Sequence, residues 1–289
     1  MPEVYLNGAF VPAEQARVSV MDRGFLFADG VYEVIPAYGG RPLREAAHLA
    51  RLSNSLRGIR LPEPLSHTEW ADVFRRLLAG TAGIDQAIYL QVTRGAAAVR
   101  DHRFPAEVGP TLFAMTRPLA PRDPALSERG VAAIVREDIR WGRCDIKSVA
   151  LLAAVLLRQE AAEADAEEAI LVRGGLITEG ATSNVFIVLQ GALFTPPKGR
   201  QLLAGITRAL VLELARGAGI GCEERPIDLP MLRSADEVWL TSSTREVMPV
   251  THLDDRPVGT ARPGPLWRRM NALYQELKGS LQRSVDDPI

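Results

Sequence analysis

The chain has 289 residues, of which 47% are hydrophobic and 24% charged, enough to bury a core without disulfides or metal. The 34 basic and 35 acidic residues nearly cancel, which argues against a nucleic-acid face. Cys144 and Cys222 are far apart and form no CxxC pair, which excludes a disulfide scaffold and fits a reducing, cytoplasmic setting. The N-terminus lacks the pattern of a signal peptide, and the longest apolar run, Val149–Leu157, is too short to span a bilayer, so no membrane association is expected.

Residues 3–35 read as short strands and turns, with Asn7-Gly8 as a hairpin turn between VYL and AFV. Asp29-Gly30 and Gly39-Gly40 read as turns on either side of the strand VYEVIPAY. Leu49, Leu52, Leu56 and Ile59 share one face of a helix over 46–60. A second helix is expected over 66–82, through Trp70, Val73, Phe74, Leu77 and Leu78, with Ser66 as its N-cap. AIYLQVTR (87–94) and TLFAMTR (111–117) read as strands.

The proline-rich stretch RPLAPRDPA (117–125) is the best linker. It suggests a small α+β domain over 1–117, a linker over 118–124 and a larger domain over 125–289. The second part begins with the strand GVAAIVRE, followed by a helix from about Ser148 to Glu168. Two hairpins follow, AILV-RGG-LITEG and NVFIVLQGALFTP. GITRALVLELARGAG reads as a helix, DEVWLTSST as a strand entering a hydroxyl-rich loop, and Trp267, Met270, Leu273, Leu277 and Leu281 as one face of a last helix. The tail SVDDPI is expected to be frayed.

Some chemistry has no support. His48, His67, His102 and His252 are scattered and sit beside no Cys, so no metal is expected. The GxGxG at 217–221 follows a helix, which makes it a helix C-cap and not a dinucleotide loop.

Other chemistry is suggested by what remains. Of the 34 basic residues only Lys147, Lys198 and Lys278 are lysines, and a lysine kept among so many arginines is a candidate amine nucleophile. Lys198 and Lys278 read as solvated side chains, which leaves Lys147. Gly205-Ile206-Thr207 at a helix start suits a phosphate, and equally an ordinary cap. Thr241-Ser242-Ser243-Thr244 ends a strand, a common place for a ligand and also for a plain turn. Glu179 follows an apolar strand, where a carboxylate is usually solvated, but it enters a tight polar turn that a ligand with a ring nitrogen needing protonation would use. Phosphate, protonated ring nitrogen and an aldehyde that needs a lysine are together the demands of pyridoxal 5′-phosphate. The loop RGAAAVRDHRFP carries Arg94, Arg100, His102 and Arg103, a solvated basic loop or a carboxylate trap.

These residues together resemble the fold-type IV, class IV pyridoxal-phosphate aminotransferases, in particular their D-amino-acid branch. The resembling stretches are DRGFLFADGVYEV (22–34), HLARL (48–52), YLQVTRG (89–95), RDHRFP (100–105), EDIRWGRCDIKS (137–148), EAILVRGGLITEGATSNVF (168–186), GITR (205–208) and LTSSTREVMPV (240–250). The resemblance implies an α+β fold of two α/β domains with the cofactor at their interface. It implies that Lys147 joins the cofactor aldehyde and then moves the proton, and that Glu179 pairs with the pyridine nitrogen. Arg51, Ile206, Thr207 and Ser243 would hold the phosphate, with Leu203 and Ser242 beside the ring. Tyr32 would help bind the substrate carboxylate, and Arg100 and His102 would complete that trap from the partner subunit of a homodimer. The implied reaction is a ping-pong exchange between D-amino acids and 2-oxo acids. The rivals are an L-branched-chain or (R)-amine aminotransferase or an aminodeoxychorismate lyase on the same fold, and a non-catalytic binding protein. Three departures from the family pattern stand out: Ala181 and Thr182 where serines are frequent, Arg245 beside the hydroxyl loop, and Asp101 between the two expected carboxylate binders.

Overall fold

A computed structural model describes residues 3–79, 83–121 and 123–283. Its contacts divide the chain into two units. The first holds Met1–Ala120, Ile146–Ala150 and Ser280–Ile289, and the second Pro121–Asp145 and Leu151–Gly279. The division at Ala120 falls inside the expected linker, but the units are not two continuous pieces, because the short segment carrying Lys147 groups with the first.

In the first unit, β1 (Glu3–Leu6) and β2 (Ala9–Pro12) form a hairpin around Asn7 and Gly8, both at positive φ as a tight two-residue turn requires. The short helix α1 (Arg23–Phe27) follows, where only strands and turns were expected. Asp22 caps it by accepting from the Gly24 N–H, and five residues are too few to show a helical period. The chain continues through β3 (Gly30–Tyr38), β4 (Arg41–Pro42), α2 (Glu45–Gly58), α3 (His67–Leu78), β5 (Gln86–Thr93) and β6 (Thr111–Pro118). Ser66 caps α3 in a reciprocal capping box with Glu69. The end of the helix expected over 66–82 lies partly outside the described residues.

The six strands form one antiparallel sheet in the order β2-β1-β6-β5-β3-β4. Leu49, Leu52 and Leu56 of α2 and Trp70, Phe74 and Leu77 of α3 bury one of its faces together with Val31, Ile35, Ile88 and Leu90. Alternation along β3 puts Glu33 on that buried face with Val31 and Ile35, and Tyr32 on the other.

The second unit contains α4 (Leu126–Arg129), β7 (Val131–Glu137), α5 (Leu152–Glu163), β8 (Glu168–Arg173), β9 (Leu176–Gly180), β10 (Asn184–Leu189), β11 (Ala192–Thr195), α6 (Ile206–Gly217), β12 (Cys222–Glu224), α7 (Leu229–Arg233), β13 (Glu237–Ser242), β14 (Glu246–Leu253), β15 (Arg256–Pro257) and α8 (Pro265–Arg283), the end of which groups with the first unit. Its nine-stranded mixed sheet runs β12-β11-β10-β13-β14-β7-β8-β9, with β15 on β14. Leu157 and Ala161 of α5 pack on Ile134, Ala169 and Leu171. A larger cluster through Ile170, Ile187, Val238, Leu240 and Val250 forms the main core.

The helix expected over 148–168 is shorter at both ends. Ser148 bridges to Val31 and Glu168 already belongs to β8, so backbone pairing overrides helix propensity there. The GxGxG run closes α6 with Gly219 at positive φ, as a C-cap. Lys278 is not a free surface charge, because its Nζ lies 3.2 Å from Glu246. The tail SVDDPI lies outside the described residues. Among the described residues no helix is long and apolar enough to cross a membrane.

Candidate active site

Lys147 is fixed through its backbone. Its N–H donates to Ser55 Oγ of α2 at 3.1 Å, and its carbonyl accepts from the Tyr32 N–H of β3 at 3.0 Å. Ile146 packs against Gly58, where an added Cβ would come within 2.8 Å of the isoleucine side chain. Two elements therefore define the position from which the Lys147 amine projects. Its Nζ lies 4.1 Å from the centre of the Tyr32 ring. Tyr89 lies next to Tyr32, with ring centres 5.8 Å apart, and burial pushes the Tyr89 hydroxyl up to about 12.

The opposite face of β3 carries an ionic cluster that inspection of the sequence did not reveal. Glu33 is fully buried and accepts from Arg51 Nε at 2.7 Å and Nη2 at 2.8 Å, with His48 Nδ1 at 2.8 Å. Burial alone would raise the Glu33 pKa, but the Arg51 guanidinium and the His48 hydrogen bond hold it well below the usual carboxylate range. Burial pushes the His48 pKa down. Arg51, expected at the phosphate, is thus a guanidinium oriented by a buried carboxylate one strand away.

Arg100 and His102 lie in an exposed loop without regular structure. Asp101, between them, is turned to Arg103, whose Nη2 it meets at 2.8 Å. Its side-chain charge is therefore engaged locally.

In the second unit, Glu179 lies near the end of β9, buried. Its Oε1 accepts from Arg140 Nη1 at 2.5 Å, its Oε2 from Asn184 Nδ2 at 3.0 Å, and both from the Leu203 N–H at 3.1 Å. Leu203, expected beside a ring, thus contributes a backbone donor. Burial still outweighs these partners and pushes Glu179 up to about 7. Arg140 is itself gripped by Asp138, through Nε and Nη2 at 2.9 Å each, and Thr178 and Arg173 also bond Asp138. Arg140 was visible in the sequence only inside EDIRWGR. Its contact with Glu179 spans 39 residues, beyond any local pattern.

Strand register brings the hydroxyl loop to the same end of this sheet. Asn184, the first residue of β10, pairs directly with Thr241 near the end of β13. Thr241 Oγ1 and Ser242 Oγ are buried and have no hydrogen-bond partner among the described residues. Ser243, half-buried, follows in the turn to β14. The helix α6 opens at Ile206 and Thr207, and its N-cap Gly205 offers no side-chain acceptor. A Cβ at Gly205 would meet Asn184 Oδ1 at 1.9 Å, so only glycine allows this approach. Arg245 bonds Glu167 and the buried Glu168, which also anchors Thr182 and Ser183. Its charge is engaged in holding that turn.

This half-site fits a phosphorylated, protonated pyridine. Two buried hydroxyls lack acceptors, a helix start lacks a cap, and a buried carboxylate is under-compensated for its charge.

The model of the amino-transferase class IV family matches residues 30–253, and the chain belongs to this family. It is 40% identical to D-alanine aminotransferase from Bacillus licheniformis over 94% of this chain and 96% of that protein. It is also 40% identical to D-alanine aminotransferase from Staphylococcus epidermidis over 96% of this chain and 98% of that one. Among solved structures, the branched-chain amino acid aminotransferase of Escherichia coli superposes with a TM-score of 0.88 at 28% identity, covering 95% of this chain and 94% of that one. A hypothetical aminotransferase from Mycobacterium tuberculosis, solved in its PLP-bound form, gives 0.83 at 26% identity, covering 94% of this chain and 97% of that one.

Proposed function

We propose that this aminotransferase exchanges amino groups between D-amino acids and 2-oxo acids in a ping-pong cycle, with pyridoxal 5′-phosphate as cofactor, as a cytoplasmic homodimer. The substrate class is carried by the 40% identity to a D-alanine aminotransferase over 94% of the chain. The exposed Arg100–His102 pair supports it, because a guanidinium grips a carboxylate bidentately and a neighbouring imidazole adds a donor. Exposed apolar side chains support a second copy: Val20, Phe25 and Val99 in the first unit, Leu152, Val155 and Leu156 in the second.

When bound, the cofactor supplies an aldehyde for an amine to join and a ring that accepts the electrons released at the substrate Cα. Lys147 Nζ takes the proton from that Cα and returns it, held to one line of approach by its backbone bonds to α2 and β3. Glu179 keeps the proton on the ring nitrogen, and Arg140 favours its ionised form. The N–H groups of Ile206 and Thr207, the Thr207 and Ser243 hydroxyls and Arg51 hold the phosphate. Ser242 and Leu203 would lie beside the ring. Tyr32 binds the substrate carboxylate, with Arg100 and His102 contributed by the second copy. The position of that carboxylate decides which enantiomer presents its Cα–H to Lys147.

The test is the visible absorbance of the purified protein during separate additions of D-alanine and L-alanine. D-Alanine alone is expected to convert the yellow enzyme to the aminated form of its cofactor. Conversion by L-alanine or L-leucine instead would move the chain to the L-branched-chain activity of its structural neighbours. Lys147→Ala is expected to abolish turnover while the protein still takes up cofactor. Undiminished turnover would remove Lys147 from the reaction.

A further inference from the structure

The segment Asp22–Asp29 was singled out in the sequence without any role, and the carboxylate site leaves it unused. We propose that Arg23 is the positioning residue of the substrate-carboxylate loop, setting Arg100 and His102 in place before substrate arrives. The inference rests on the reading of that loop given above.

Arg23 is 4% exposed, and its guanidinium spends its donors on the loop backbone. Nη1 donates to the carbonyls of Asp101 at 2.5 Å and Arg103 at 3.3 Å, and Nη2 to that of His102 at 3.2 Å. Three consecutive carbonyls are thus held by one buried, planar group, while the Arg100 and His102 side chains stay exposed. A lysine ammonium has no such fork.

The guanidinium is itself immobilised. Its Nε donates to Asp29 at 2.8 Å, and Asp29 also accepts from Arg94 Nε at 2.8 Å and Nη2 at 3.0 Å. Burial would raise the Asp29 pKa, but the two guanidiniums hold it below the usual range. Arg94 is tied to the end of α2 through the carbonyls of Ile59 at 2.6 Å and Arg60 at 3.3 Å, and it covers the Phe104 ring at 3.7 Å.

The helix that presents Arg23 is clamped in turn. Asp22 accepts from Thr93 Oγ1 at 2.9 Å and Thr111 Oγ1 at 2.5 Å, across β5 and β6. At Gly24 a Cβ would meet Thr93 Cγ2 at 2.3 Å, so only glycine permits this contact. Phe27 ends the helix as a platform: its ring lies 4.6 Å from the Arg100 guanidinium and 5.0 Å from the His102 ring. Arg23 and Phe27 therefore touch the loop directly, while Asp22, Gly24 and Asp29 hold those two residues in place.

The test compares wild type, Arg23→Gln, Arg23→Lys and Arg100→Ala as loaded enzymes. D-Alanine kinetics are read together with hydrogen exchange at the amides of residues 100–104. In Arg23→Gln the KM for D-alanine is expected to rise about tenfold or more, about what one charge-assisted hydrogen bond is worth. Its kcat should stay within about threefold, because chemistry at Lys147 is untouched. Exchange in the loop should accelerate together with the KM change. Arg23→Lys keeps the charge beside Asp29 and decides the matter if Arg23→Gln fails to fold. It too should raise KM and loop exchange, by less. Wild-type KM and exchange in both Arg23 variants, with KM raised in Arg100→Ala, would overturn the positioning role and leave the function intact. An unchanged KM in Arg100→Ala would overturn the carboxylate reading itself, and the inference with it.

Discussion

Glu179→Gln tests the charge balance of the second half-site. In the cofactor-free protein, burial raises this carboxyl from its ordinary 4.5 to about 7 despite the Arg140 guanidinium. Between those pH values the native protein keeps a proton that the unfolded chain has released. The native state then binds more protons, so stability falls as pH rises through the window and levels off above about 7. The rise from 4.5 to about 7, at about 1.4 kcal/mol per pKa unit, costs about 3 kcal/mol at neutral pH. Glutamine keeps the shape and an acceptor for the Leu203 N–H but carries no charge, so this cost disappears. Urea unfolding of the cofactor-free wild type and variant from pH 4.5 to 8 measures it. The stability difference should move by about 3 kcal/mol in favour of the variant across that range, other titrating groups cancelling. A flat difference would refute the assignment of Glu179 as an under-compensated buried anion. In the loaded enzyme the preference should reverse, because a protonated ring nitrogen supplies the missing positive charge. There kcat should fall about 100-fold in the variant, in the range of a lost electrostatic contact in a dry site.

Glu33→Gln breaks the buried pair with Arg51 and should cost about 3–5 kcal/mol in urea unfolding at pH 7. Because the Glu33 pKa is depressed in the folded protein, the wild-type advantage is fully present above the ordinary carboxylate range and should shrink as pH falls below about 4. A stability equal to wild type at pH 7 would contradict the ion pair. The double change Thr241→Val with Ser242→Ala removes two buried hydroxyls that have no partner among the described residues. It should leave the cofactor-free protein at least as stable and weaken cofactor binding about tenfold, followed by absorbance titration with pyridoxal phosphate. A loss of stability without loss of affinity would assign those hydroxyls to the fold.

The sequence disclosed what short-range chemistry controls. Asn7-Gly8 and Gly174-Gly175 announced hairpins because their turns need positive φ, and Ser66 announced the start of α3 as its N-cap. The helix α1 escaped because five residues hold no period, and residues 148–151 looked helical because they run straight into the alanine- and leucine-rich segment that follows. Their pairing with β3 is a tertiary fact. The same limit applied at the site. Lys147, Glu179 and the Gly205 helix start could be nominated from residue type and context. Their partners could not: Arg140, Asn184 and Ser55 reach them through strand register and packing.

A rule for the lysines and arginines follows from these partners. The chain holds 31 arginines and three lysines, and each buried or half-buried arginine described above engages a carboxylate. Arg51 meets Glu33, Arg140 bridges Asp138 and Glu179, and Arg23 joins Asp29 to the loop carbonyls. Each task needs fixed geometry and permanent charge, which guanidinium provides and ammonium does not. Of the three lysines, Lys198 is exposed and Lys278 pairs with Glu246. Lys147 sits against an aromatic face, with its backbone pinned on both sides. The proposed reaction asks this residue to form a bond through its amine, a task for which a guanidinium is not suited. The scarcity of lysine and the architecture around Lys147 are two expressions of one constraint. Charge that orients buried carboxylates is carried by arginine, and the proposed reaction assigns the reacting amine to Lys147.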